Sequence, residues 1–78
     1  MANKLPVKKF KAGGVEASIW ENEFVGRNGD AGVAHSVKLE RRYKDKNGEW
    51  QGTGSLKEAD IPKAVLALNK AYEWIVLS

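Results

Sequence analysis

Apolar and polar positions alternate with a period of two through residues 7 to 56, and then recur with the period of a helix from 60 to 78. Residues 1 to 6 stand apart as a tail ending at Pro6. Val7 to Ala12 predicts a short strand turned by Gly13-Gly14, because glycine enters positive φ without steric cost. A second strand is predicted from Val15 to about Glu23. Along it Val15, Ala17 and Ile19 share one face and Glu16, Ser18, Trp20 and Asn22 the other, the pattern of a half-buried strand. Gly26 to Gly32 reads as a flexible loop. A third strand, Ala34 to Lys44, places His35, Val37, Leu39, Arg41 and Tyr43 on one side, and Ser36, Lys38, Glu40, Arg42 and Lys44 on the other. Asp45-Lys46-Asn47-Gly48 predicts a hairpin through its Asn-Gly pair. The fourth strand, Glu49 to Leu56, contains Gly52 and Gly54, which predict a bulge, a bend or an edge position.

The helix is predicted to open near Asp60, a suitable N-cap, with Pro62 in a first turn that needs no amide from it. Ile61, Val65, Leu68, Tyr72 and Ile75 form one apolar stripe, and Ala64, Ala67, Ala71 and Trp74 a second beside it. Leu66 and Leu77 widen the arc further. A helix lying on one small sheet needs an apolar arc of only about 100°. The surplus predicts a second copy of the chain, with Val65, Leu66, Leu68, Tyr72, Trp74 and Ile75 in a dimer interface. The whole is predicted to be a single α+β domain, a four-stranded curved antiparallel sheet followed by one C-terminal helix (ββββα), paired through its helices as a homodimer.

Size reinforces the dimer. The chain has 78 residues and no cysteine. A domain this small buries only about 60% of the surface its unfolded chain exposes. Disulfides and cysteine-bound zinc are excluded, and oligomerisation remains the common source of extra burial. The longest apolar runs fall short of a membrane span, and the first residues lack the apolar stretch of a secretory signal. An intracellular protein of the cytoplasm or nucleoid is expected. Thirteen Lys and Arg against ten Asp and Glu leave a formal charge of +3, which suits a polyanionic partner without requiring one.

Enzyme chemistry finds no support in the residues. His35 is the sole histidine, and no serine or cysteine arrangement surrounds it. Asp45 to Glu49 lacks the later ligands of a calcium loop, and Gly26 to Gly32 lacks the Gly-Lys-Ser/Thr of a phosphate-binding loop. No catalytic residue, metal or cofactor is expected. The polar face of the sheet is more informative. Trp20 falls among Ser18 and Asn22 on a face that also bears Lys38, Arg42 and Lys44. A flat ring among cations is what single-stranded nucleic acid needs, since bases stack on the ring while cations follow the phosphates. Tyr43 and Trp50 flank the hairpin beside Arg41, Lys44 and Lys46, as a second platform or as a plain cross-strand pair. Lys8, Lys9 and Lys11 add charge on the first strand.

From Val37 to Trp50, and again at Ser55-Leu56 before the helix, the chain resembles the positive-cofactor-four type of transcriptional coactivator. The likeness spans roughly residues 15 to 75. It rests on a strand with an aromatic end, the Asp45-Lys46-Asn47-Gly48-Glu49 turn, a further strand, the Ser-Leu step and one helix. It implies dimerisation through the helices and single-stranded DNA binding with little sequence preference. It also implies base stacking at Tyr43 and, approximately, Trp20, with Lys44 and Lys46 beside the turn. Gln51-Gly52-Thr53-Gly54 departs from the family in being shorter and without lysine or arginine, a loss for which Arg27 could compensate.

The expected function is therefore single-stranded DNA binding in replication, recombination or transcription, with RNA as the alternative polymer. Trp20, Tyr43 and Trp50 are the expected stacking residues, and Lys9, Lys11, Lys38, Arg41, Arg42, Lys44 and Lys46 the phosphate partners. The competing expectation is a protein-interaction module built on the same exposed aromatics.

Overall fold

The computed structural model describes residues 5 to 77. The expected residues 1 to 4 of the tail, and Ser78 at the end of the helix, lie outside them. Four antiparallel strands follow one another in chain order across a single sheet. They are β1 (Lys8–Ala12), β2 (Val15–Val25), β3 (Ala31–Lys44) and β4 (Trp50–Thr53). A short 3₁₀ turn, Glu58–Asp60, leads into α1 (Ile61–Leu77). The α+β class and the ββββα order expected from the pattern are thus those of the structure.

Strand boundaries shift where turns are tighter than their glycines implied. The predicted loop from Gly26 to Gly32 is a compact turn, with the Gly26 amide donating to the Asp30 carbonyl at 2.7 Å and the Gly29 amide to the Gly26 carbonyl at 3.0 Å. Gly29 takes φ 82°. The β3–β4 turn repeats this geometry, with the Asp45 amide on the Glu49 carbonyl at 2.8 Å, Gly48 on Asp45 at 3.0 Å, and Gly48 at φ 79°. The signal was present as Arg27-Asn28-Gly29-Asp30 against Lys46-Asn47-Gly48-Glu49. In both, glycine alone adopts the left-handed conformation, so Asn-Gly does not act as a two-residue primed turn. With that turn formed, β2 runs on to Val25 and β3 starts at Ala31. β4 is shorter than expected and lies at an edge, and just beyond it the Ser55 amide turns back to Thr53 Oγ1 at 3.1 Å.

The helix lies over β1 and β2 and reaches little of β3. Val15, Ala17 and Ile19 are fully covered, and on the helix Ala64, Ala67 and Ala71 are buried against the sheet. Of the two apolar stripes, the alanine stripe faces inward. Methyl side chains let the helix backbone approach closely, and Phe10, Leu39, Trp74 and Ile75 fill the margins of that contact. Trp74 and Ile75, expected in the dimer interface, are half-buried and pack in part against the chain's own core. Val65, Leu66, Leu68 and Tyr72 are exposed on the helix. Beyond the end of the helix β2 and β3 continue as a two-stranded ribbon, which draws the molecule out to 51 × 29 × 18 Å.

Candidate nucleic-acid interface

Strand register sorts the candidate residues between two faces. Ala17 pairs with Phe10 and Leu39 beneath the helix, so residues one step away on each strand belong to the opposite, open face. That face collects Lys9 and Lys11 from β1; Glu16, Ser18, Trp20, Asn22 and Phe24 from β2; Gly32, Ala34, Ser36, Lys38, Glu40, Arg42 and Lys44 from β3; and Trp50 and Gly52 from β4. Among the described residues five Lys or Arg and two Asp or Glu stand here, leaving seven basic and eight acidic residues elsewhere. The net positive charge of the described residues is thus carried by one face.

The two carboxylates, Glu16 and Glu40, face each other directly across β2 and β3. Opposed like charges are unfavourable. Cations on either side compensate them, Lys9 Nζ at 3.9 Å from Glu16 and Arg42 Nη1 at 3.7 Å from Glu40. Glu40 has room to lie across β4 because Gly52 offers no Cβ to meet it. Among the described residues Lys11, Lys38 and Lys44 have no carboxylate partner and are the cations most available to an incoming anion. Lys44 Nζ sits 5.6 Å from the centre of the Trp50 ring, a cation–π contact that keeps charge and ring together. Trp50 is 61% exposed, and with Lys9, Lys11, Glu16 and Arg42 it lines an open depression of about 330 Å³.

Trp20 lies on the open face, as its parity requires, but it does not stand free in water. Its Nε1–H donates to Ser18 Oγ at 3.3 Å, and the Ser18 hydroxyl in turn contacts the Lys38 carbonyl at 3.4 Å. Ser18 is buried on a face that no helix covers, and the indole bonded to it is half-buried. From the Trp20–Ser36 row to the Lys44–Trp50 row is eight residues of β3, or about 26 Å at ~3.3 Å per residue.

Arg41 and Tyr43 are placed elsewhere. Both lie on the helix-side face, where Arg41 Nε donates to the Ser55 carbonyl at 3.2 Å and lies 3.3 Å from Asp60 Oδ2. Its guanidinium also stands 5.3 Å from the Tyr43 ring. Asp60 meanwhile accepts the Lys57 amide at 2.9 Å, so Arg41 ties β3 to the start of the helix. Tyr43 pairs with Gln51 and Trp50 with Lys44, so the two aromatics point away from each other and form no cross-strand pair. Lys46 projects from the β3–β4 turn, at the end of the open face. His35 is likewise on the helix side, 3.6 Å from Glu21 and edge-on to Trp74. Among the described residues no three His, Asp or Glu side chains gather as a metal site requires.

The residue that sequence reasoning passed over is Phe24. With β2 ended at Glu23 it belonged to no element, yet it stands four residues from Trp20 on the same face and is 52% exposed. Its parity with Trp20 was legible; the length of the strand was not. No protein-family model matches the chain, and neither does any curated protein or solved structure.

Proposed function

We propose that this chain binds single-stranded DNA along the open face of its sheet, with little preference for sequence. The carrying observation is the segregation of Trp20, Trp50 and the net positive charge of the described residues onto the face opposite the helix. Trp20 and Trp50 stack bases. Lys11, Lys38 and Lys44 take phosphates first, with Lys9 and Arg42 recruited from their carboxylates and Lys46 at the rim. Arg41 and Tyr43 drop out of the site, because their face and their contacts serve the helix junction.

The functional unit is a homodimer. Val65, Leu68, Tyr72 and Val76 leave an exposed apolar line on the helix, and Val33 and Val37 remain exposed on the helix side of β3. A second helix laid beside the first would cover both and leave the two open faces available to DNA. Among the described residues no helix is long and apolar enough to cross a membrane. The role fits proteins that hold unpaired strands in replication, recombination or transcription, within the cytoplasm or nucleoid.

Titration with oligo-dT, followed by tryptophan fluorescence across a range of salt, tests the reading. Three to six phosphate contacts predict a slope of log K against log salt between about −2 and about −4 for a single strand. Trp50→Ala and Trp20→Ala each lose about 1–3 kcal/mol of binding if the rings stack. Absence of binding at micromolar strand in low salt rejects the proposal. Duplex binding as tight as single-strand binding would show that the rings are unused. An RNA oligomer binding more tightly than DNA of equal length would transfer the reading to RNA.

A further inference from the structure

The β2–β3 ribbon carries the open face beyond the end of the helix. There Phe24 stands directly across from Gly32. A Cβ at Gly32 would lie 2.6 Å from Phe24 Cζ and 2.8 Å from Cε1, so the ring lies on the glycine's own backbone. One side of the ring is thus held by the sheet and the other is open to solvent. This is the disposition a base needs in order to stack.

Charge is sorted to match. From the Trp20–Ser36 row outward the open face holds no carboxylate, because Glu21 and Glu23 belong to the opposite face with Val25 and Val33. Asn22 Nδ2 donates to Ser36 Oγ at 3.2 Å, an uncharged polar strip between the two rings. Beyond Phe24 the turn exposes Arg27 at the position Lys46 occupies in the matching turn at the other end of β3. Each end of the long strand therefore offers an aromatic on the open face and a cation in the turn beside it.

We propose that Phe24 is a third base-stacking platform and that Arg27 meets a phosphate beyond it, so the bound strand continues over the ribbon. The inference rests on the single-strand reading above and extends the site residues. Gly32 to Lys44 is twelve residues of β3, or about 40 Å, against about 26 Å for the Trp20–Trp50 stretch. At the ~3.4 Å spacing of stacked nucleotides these lengths accommodate about twelve and about eight bases. The ribbon thus supplies about a third of the track.

The test compares dT6 with dT16 on wild type, Phe24→Leu, Phe24→Trp and Gly32→Ala. Phe24→Leu is expected to weaken dT16 by about 5- to 150-fold, the usual worth of one stacked base, and to leave dT6 within about twofold. Phe24→Trp retains dT16 affinity. Gly32→Ala keeps the phenyl group but lifts it from the backbone, and it weakens dT16 in the same direction; Gly32 has no left-handed φ to oppose the change. Retained dT6 affinity and an unchanged circular-dichroism spectrum certify that each variant is folded. Arg27→Gln should reduce the salt slope on dT16 alone by about one phosphate's share. If wild type binds dT16 in a salt-dependent way while Phe24→Leu and Gly32→Ala bind it equally well, this inference falls and the single-strand reading survives. If wild type binds neither oligomer, the reading itself falls and the inference with it.

Discussion

Arg41 and Arg42 are adjacent in the chain and do opposite work. Successive strand residues point to opposite faces, so one guanidinium meets Asp60 beside the helix and the other meets Glu40 on the open face. The Arg41 side chain is only 18% exposed and that of Asp60 14%. Removing the arginine would leave a shielded carboxylate without its cation and free the Ser55 carbonyl. Arg41→Ala is expected to cost about 1–3 kcal/mol in denaturant unfolding while leaving dT affinity within about twofold. Arg42→Ala should show the reverse, weaker binding at near-constant stability. A large loss of binding in Arg41→Ala at full stability would return Arg41 to the interface.

At the scale of elements, the two matched turns and the helix determine what the sheet can present. In the β3–β4 turn Asp45 Oδ1 accepts the amides of Asn47 and Glu49 at 2.9 Å each, and Oδ2 accepts Gln51 Nε2 at 3.1 Å. The Glu49 amide first, then Gln51 and Asn47, hold the carboxyl below its ordinary 3.8. A pKa lowered by folding contributes stability above the unfolded value and loses it as pH falls through the folded one. Asp45→Asn should therefore melt at a lower temperature than wild type by a constant margin above about pH 5, and the margin should shrink below pH 3.8. Melts from pH 2.5 to pH 7 decide it, and a margin that widens in acid would mean the carboxylate is not the acceptor. The helix acts through its alanines. Ala64, Ala67 and Ala71 seat it on β1 and β2, and Val65, Leu68 and Tyr72 are turned outward by the same rotation.

For the whole molecule, one helix covers β1 and β2 of a four-stranded sheet and leaves apolar side chains exposed on both the helix and β3. Val65, Leu68, Tyr72 and Val76 lie on the helix; Val33 and Val37 lie on β3. Sedimentation at tens of micromolar is expected to give a dimer. The pair Leu68→Glu and Tyr72→Glu should give a folded monomer, since both side chains are exposed within a single chain. Because one dimer offers two open faces, the monomer should also lose the gain from binding one long strand at both. A wild-type monomer at that concentration would remove the dimer and leave the open face of each chain as the binding unit.

Local interactions were legible in the residues themselves. A period of two assigned the residues from Val15 to Glu23 and from Ala34 to Lys44 to their faces, so Trp20, Lys38, Arg42 and Lys44 fell together in the sequence alone, and glycine turns placed the hairpins. Contacts between distant segments were not legible. Nothing in the helix's own pattern says which of two apolar stripes meets the sheet, because both satisfy the same periodicity; the close approach to Ala17 and Ile19 selected the alanines. Nothing near Arg41 reveals Asp60, nineteen residues away, and nothing near Phe24 reveals that a glycine across the ribbon gives its ring a seat. By itself the sequence determined which side chains share a face, because strand geometry repeats every two residues. Only the tertiary structure decided which face stays open and which rings and charges remain free upon it, because burial depends on what another part of the chain brings against them.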